Sequence, residues 1–233
     1  MALYSKYINR TEFNSYEDFY VNYRINVPDK FNFAYDVIDE IANEKPDKIA
    51  MIWCDVEDNE KIITFGELQK QVNKTANYFQ SKGISKGKSV MLILKRHYQY
   101  WYSILALHKL GAITIPATSL LMAKDVNYRV EMGDVDMIVC TETNDVPKHV
   151  LEGVEMGTRP VILSCTGNVE GFENFNEEIE KYSDEFKRPE GDLDACNDDI
   201  MLLYFTSGTT GYPKMVAHDY TYPLGHIHTA RYW

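Results

Sequence analysis

Ile200-Met201-Leu202-Leu203-Tyr204-Phe205 runs directly into Thr206-Ser207-Gly208-Thr209-Thr210-Gly211-Tyr212-Pro213-Lys214. The apolar run, bounded by turn formers, reads as a buried strand. Residues 206–214 read as a loop built to hold phosphate. Gly208 and Gly211 accept positive φ and let backbone N–H groups come close to an anion. Thr206, Ser207, Thr209 and Thr210 add hydroxyl donors. Lys214 adds a mobile positive charge, and Pro213 stiffens the exit. The same residue types also make ordinary surface turns, so it is their order after a strand that points to an anion.

Gly83-Ile84-Ser85-Lys86-Gly87-Lys88-Ser89 imitates another phosphate loop, G-x-x-x-x-G-K-[ST]. It is one residue short between its glycines, and it stands after a helix and before a strand. It reads as a helix stop and a turn.

Working outward, strands alternate with helices. Residues 49–54 read as a strand. Thr64-Phe65-Gly66-Glu67 is a capping box opening a helix with the stripe Leu68, Val72, Ala76 and Phe79, ended by Gly83. Next come a strand over 90–94, a helix over 98–110 closed by Gly111 and a strand over 113–116. After these come a helix near 124–132, a strand over 137–140, a helix near 146–156 and a strand over 160–163. Such alternation predicts an α/β fold with a mainly parallel sheet flanked by helices on both faces. Tyr16, Phe19, Tyr20 and Tyr23 fall at helical spacing and read as packing surface. Two parts are expected: an aromatic-rich extension over residues 1–30 and one α/β unit over residues 31–233.

The 233 residues carry a formal net charge of −11. Much of it sits in residues 170–199, which hold twelve acidic and three basic side chains. That stretch reads as a solvated face or a mobile connection. The acidic balance excludes nucleic acid as a partner. No apolar run approaches the roughly 18 residues of a membrane span, and the first ten residues lack the apolar stretch of a secretory signal. A cytoplasmic protein is therefore expected. Cys54, Cys140 and Cys165 lie in apolar, strand-like runs and Cys196 does not. They read as small core residues of a reduced protein. His226 and His228 stand two apart, on different helical faces, and no metal site is expected.

The loop over 206–214 resembles the phosphate-binding signature of the adenylate-forming enzymes: acyl-CoA synthetases, peptide-synthetase adenylation domains and firefly-type luciferases. Thr64-Phe65-Gly66-Glu67-Leu68 resembles their first core motif, and Leu110-Gly111-Ala112-Ile113-Thr114-Ile115-Pro116 their second. Asp198-Asp199 before the strand is another shared feature. The resemblance covers residues 31–233. Phe31-Asn32-Phe33-Ala34-Tyr35-Asp36-Val37 and Met215, where most of the superfamily has glycine, bring it nearest the medium-chain acyl-CoA synthetases. His218 also stands where a histidine often comes after the loop, and as a lone histidine it is equally compatible with a structural role.

The resemblance implies part of the large N-terminal domain of that fold. It also implies an ATP-dependent acid–thiol ligase that uses Mg2+ and takes coenzyme A as co-substrate. The acid is a small carboxylic acid, medium-chain, short-chain or aromatic. Thr206, Ser207, Thr209 and Thr210 would then hold phosphate, with Gly208 and Gly211 shaping the loop. Lys214 is the catalytic candidate, either touching phosphate transiently or pairing with an acidic neighbour, and His218 is the substrate candidate. The family's later Tyr-Gly-x-Thr-Glu segment, its ribose-holding aspartate and its lid lysine do not occur here. A fragment, catalytically silent alone and open to self-association, is expected. Other readings are a non-catalytic nucleotide-binding module, a subunit that borrows its other half, and an adenylation domain serving a carrier-protein thiol. Met215 and residues 31–37 speak against the last of these.

Overall fold

In the computed structural model, which describes residues 3–207 and 211–232, α1 (Tyr16–Asn22) comes first. A π-helical turn (Ala34–Asp39) then leads into α2 (Glu40–Glu44). A hairpin of β1 (Ile49–Cys54) and β2 (Glu60–Thr64) leads to α3 (Phe65–Ser81). The regular alternation is β3 (Ser89–Ile93), α4 (Gln99–Leu110), β4 (Ile113–Pro116), α5 (Ala123–Met132), β5 (Val135–Cys140), α6 (Val146–Glu155) and β6 (Ile162–Cys165). Then come β7 (Glu173–Asn174), α7 (Phe175–Ile179), β8 (Ile200–Thr206), β9 (Lys214–Asp219), α8 (Tyr222–Gly225) and α9 (Ile227–Tyr232).

Among the described residues, seven strands form one sheet in the order β7-β6-β5-β3-β4-β8-β9. All neighbours are parallel except β9, which runs antiparallel to β8. The sheet pleat sorts β3 between two cores. Val90 and Leu92 pack with Tyr78, Phe79, Leu105 and Phe175 on the α3–α4 side. Met91 and Ile93 pack with Val126, Val130, Ile138 and Val150 on the α5–α6 side. Burial on both faces is why the central strands are unbroken apolar runs.

The hairpin corrects one expectation. β1 pairs with β2 in a two-stranded antiparallel sheet of its own. Five residues separate the strands, far fewer than a parallel crossover requires. Asp55 closes the turn by accepting from the N–H groups of Glu57 and Asn59 at 2.8 and 2.9 Å. Ile49, Ile52 and Ile62 are consequently exposed. Cys54 is exposed with them, against the reading that placed it in the core, whereas Cys140 and Cys165 are buried and face each other across β5 and β6.

The acidic stretch is anchored, not a mobile connection. Phe175 and Ile179 are buried. From α3, the amides of Asn73 and Asn77 donate to the carbonyls of Asp184, Ser183 and Glu185 at 2.8 to 2.9 Å. Lys74 and Lys82 pair with Glu180 and Glu173. Asp194 is buried against Arg188 and Lys30, and the backbone of the stretch is tied down.

Helix boundaries obey local chemistry. Glu67 N–H donates to Thr64 Oγ1 at 3.2 Å and Thr64 N–H to a Glu67 carboxylate oxygen at 2.8 Å, completing the capping box. Gly83 and Gly87 have φ of +83° and +79°, so the imitation phosphate loop is the helix stop and turn expected of it. The aromatic stripe of α1 is only half covered: Phe19 stacks on Tyr23 at 4.8 Å, while Tyr16 and Tyr20 are exposed.

Candidate functional site

β8 enters the sheet beside β4 with Met201 and Leu202 buried, and ends at Phe205-Thr206. The strand therefore delivers its successor to the carboxyl edge of a parallel sheet, the edge at which α/β sheets bind ligands. The chain returns as β9, with Thr206 paired to Lys214 and Phe205 to Met215. Residues 207–213 are thus the connection of a β-hairpin. Gly208, Thr209 and Thr210 lie outside the described residues.

The two ends of the loop are held in register by the hairpin. The Thr206 hydroxyl donates to the Lys214 carbonyl at 3.3 Å, across the first rung. Ser207 is exposed. Gly211 has φ of +116°, a conformation that favours glycine. Lys214 is exposed at the start of β9, and among the described residues its ammonium forms no ion pair. Thr206, Ser207, Gly211 and Lys214 are therefore brought together around one mouth.

Sequence reasoning missed what holds this mouth. Tyr128 on α5 stacks on Tyr212 at 4.9 Å and 24°. Its hydroxyl donates to the Pro213 carbonyl at 3.2 Å. Its other neighbour is Phe205, edge-on at 6.1 Å. The Arg129 guanidinium lies over Phe205 at 5.2 Å. Nothing in the pattern of α5 announces this, because its buried stripe is Val126 and Val130.

His218 does not join the loop. It pairs with Leu202, four residues along β9 from Lys214 and so about 13 Å away. Its ring meets Tyr222 at 4.0 Å and Tyr204 at 5.7 Å. It lines a cleft of about 410 Å³ with Ile25, Val27 and Asp219. A larger apolar cavity of about 950 Å³ lies under the N-terminal segment and α9, lined by Tyr7, Phe31, Phe33, Met201 and Ile227. Neither cavity is lined by Thr206, Ser207, Gly211, Tyr212, Pro213 or Lys214, the described residues of the loop.

A second polar group stands on the same carboxyl edge, where the strand order reverses between β3 and β5. His97 Nε2 lies 2.9 Å from the Thr141 hydroxyl, which is 3.1 Å from that of Thr143. Burial holds the His97 imidazole below its ordinary pKa.

Comparison with known proteins puts names beside this geometry. The model of the family described as AMP-binding enzyme matches residues 38–230. Human acyl-coenzyme A synthetase ACSM3, mitochondrial, is 31% identical over 97% of this chain and 40% of its own length. Rat acyl-coenzyme A synthetase ACSM5, mitochondrial, is 33% identical over 88% of this chain and 36% of its own. The chain thus spans about two fifths of the curated relatives it matches. Among solved structures, a Brucella canis acyl-CoA synthetase superposes with a TM-score of 0.75 at 21% identity, covering 88% of this chain and 36% of that one. The anthranilate CoA ligase AuaEII, bound to anthranoyl-AMP, gives 0.70 at 21% identity, over 89% and 36% of the two chains. These likenesses establish the fold. The relatives also overturn the cytoplasmic location expected from the sequence, since they are mitochondrial by name.

Proposed function

The chain belongs to the AMP-binding enzyme family, and from that premise we propose that it carries the phosphate-holding part of an AMP-forming acid–thiol ligase acting in mitochondria. In the proposed reaction a carboxylate attacks the α-phosphorus of ATP, giving an acyl-adenylate and pyrophosphate. The thiol of coenzyme A then attacks the activated carbonyl and releases AMP. The observation that supports this reading is the hairpin loop itself: hydroxyls, a positive-φ glycine and an exposed ammonium at the carboxyl edge of a parallel sheet.

Phosphoryl chemistry of this kind rests on positioning and on charge compensation. Backbone N–H groups and the hydroxyls of Ser207, Thr209 and Thr210 take the β- and γ-phosphates. The Thr206 hydroxyl, already donating to Lys214 O, holds the hairpin shut and offers the phosphate only its lone-pair side. Lys214 meets the charge that builds as pyrophosphate leaves. Residues 206–214 offer hydroxyls but no carboxylate to a hard dication, so Mg2+ would come bound to the triphosphate. The acid is a small carboxylic acid, as for the anthranilate ligase among the structural neighbours. His218, distant from the loop, stands between Tyr204 and Tyr222 and would meet such an acid in the cleft it lines.

Titration of the chain with MgATP tests the reading. Ser207→Ala and Lys214→Ala each weaken binding by roughly tenfold, about 1.4 kcal/mol, if they contact phosphate. Affinity unchanged from the wild-type chain in both variants would remove the loop from the site. In carboxylate-dependent ATP–pyrophosphate exchange, the 233 residues alone give no turnover above that of the Ser207→Ala/Lys214→Ala double variant, with acids from acetate to octanoate and benzoate. Turnover well above that control would show that the chain works unaided.

A further inference from the structure

We propose that Tyr128 is the positioning residue of the phosphate loop, a clamp on α5 that fixes both ends of residues 206–213 from outside the loop. This rests on the reading of that loop as the phosphate holder. Three contacts carry it. Tyr128 is edge-on to Phe205, the residue before the loop. It stacks on Tyr212 and donates to the Pro213 carbonyl, both at the loop's exit. One side chain therefore spans the two ends of the connection. It does so from a helix whose other face is set by Val126 and Val130 in the core.

The physical consequence is directional. Ordering backbone around an anion costs conformational entropy. Fixing both ends beforehand removes part of that cost, which is how a rigid neighbour turns a turn into a binding loop. The stack is also unusual in its placement. Tyr212 is 74% exposed, so the pair buries little area for the core. Its effect falls on the loop's geometry more than on global stability. Arg129, over Phe205, backs the start of the loop from the next position of the same helix.

Amide hydrogen exchange on the unliganded chain tests the clamp directly. Tyr212→Ala removes the stack from the exposed side and leaves the core untouched, while Tyr128→Phe keeps the ring and removes the hydrogen bond to Pro213. Tyr212→Ala should speed exchange across residues 211–216 by roughly tenfold, and Tyr128→Phe by about fivefold, with α5 and α6 unchanged. Tyr128→Ala should match or exceed the first. Unchanged exchange in residues 211–216 would overturn the proposal, as would loosening spread equally over α5 and α6, which marks a structural role. MgATP titration of the same proteins separates the two readings. Weaker binding in step with faster exchange supports both. Faster exchange without any MgATP binding by the wild-type chain supports the clamp and overturns the phosphate reading.

Discussion

His108 shows how much a single enclosed side chain can set. It is 5% exposed near the end of α4, and neither ring nitrogen has a hydrogen-bond partner among the described residues. Its carbonyl is the bonded part, accepting from Asn32 and Tyr220. Burial alone lowers its pKa from the usual 6.5 to about 4. Between those values the unfolded chain binds a proton that the folded chain refuses. Stability is therefore complete above pH 6.5 and falls as pH drops toward 4, by about 3 kcal/mol in total. Urea unfolding across that range should show the slope, and His108→Phe should flatten it. Next to it, Lys109 is 2% exposed and donates to Asp39 at 2.6 Å and Asn73 at 2.7 Å, with its ammonium over the Tyr35 ring. Burial lowers its pKa, and Asp39 opposes the shift. Asp39→Ala strands that charge and should cost roughly 3–5 kcal/mol. Replacing the pair together, as Asp39→Leu/Lys109→Met, should cost much less. Chemical denaturation midpoints of the two proteins would show whether the ammonium is as enclosed as it stands here.

At the scale of elements, the joint between α5 and α6 is close. A Cβ on Gly153 would stand 2.6 Å from the Ala123 carbonyl and 2.7 Å from the Val126 Cβ. Backbone cannot yield as a flexible side chain does, so Gly153→Ala should lose roughly 1–3 kcal/mol by overpacking. Because α5 carries Tyr128, the same substitution should also weaken MgATP binding, a coupling that paired stability and binding measurements would detect. Local chemistry made most of these elements readable beforehand. The capping box at Thr64, the glycine stop at Gly111 and the apolar runs of β3 and β8 each carry their own signal. β2 and β9 carried none. Glu60-Lys61-Ile62-Ile63-Thr64 and Lys214-Met215-Val216-Ala217-His218-Asp219 are half-polar and largely exposed. Such strands exist because a partner strand offers its backbone, not because their own pattern demands it.

For the whole molecule, the two sheets should differ in persistence. β3 is buried at every residue and β5 at nearly all, whereas β1 and β2 stand apart with Ile49, Ile52 and Ile62 in water. Trp53 ties the hairpin to the rest by donating to the Arg96 carbonyl at 2.8 Å and meeting Tyr98 edge-on at 5.2 Å. Native-state exchange should therefore open β1 and β2 well before β3 and β5. Equal protection in both sheets would refute the division. The sequence by itself determined the α/β class, the near-continuous parallel core, the helix boundaries and the place where β8 ends in a loop, since periodicity, capping and glycine placement act over a few neighbours in the chain. Only the tertiary structure decided that β1 leaves the parallel sheet, that Cys54 is exposed, that the acidic stretch is laced to α3, and that Tyr128 closes over Tyr212 and Pro213. The last two depend on groups 85 to more than 100 residues apart finding one another, and no local pattern encodes the partner that a side chain meets at such a distance.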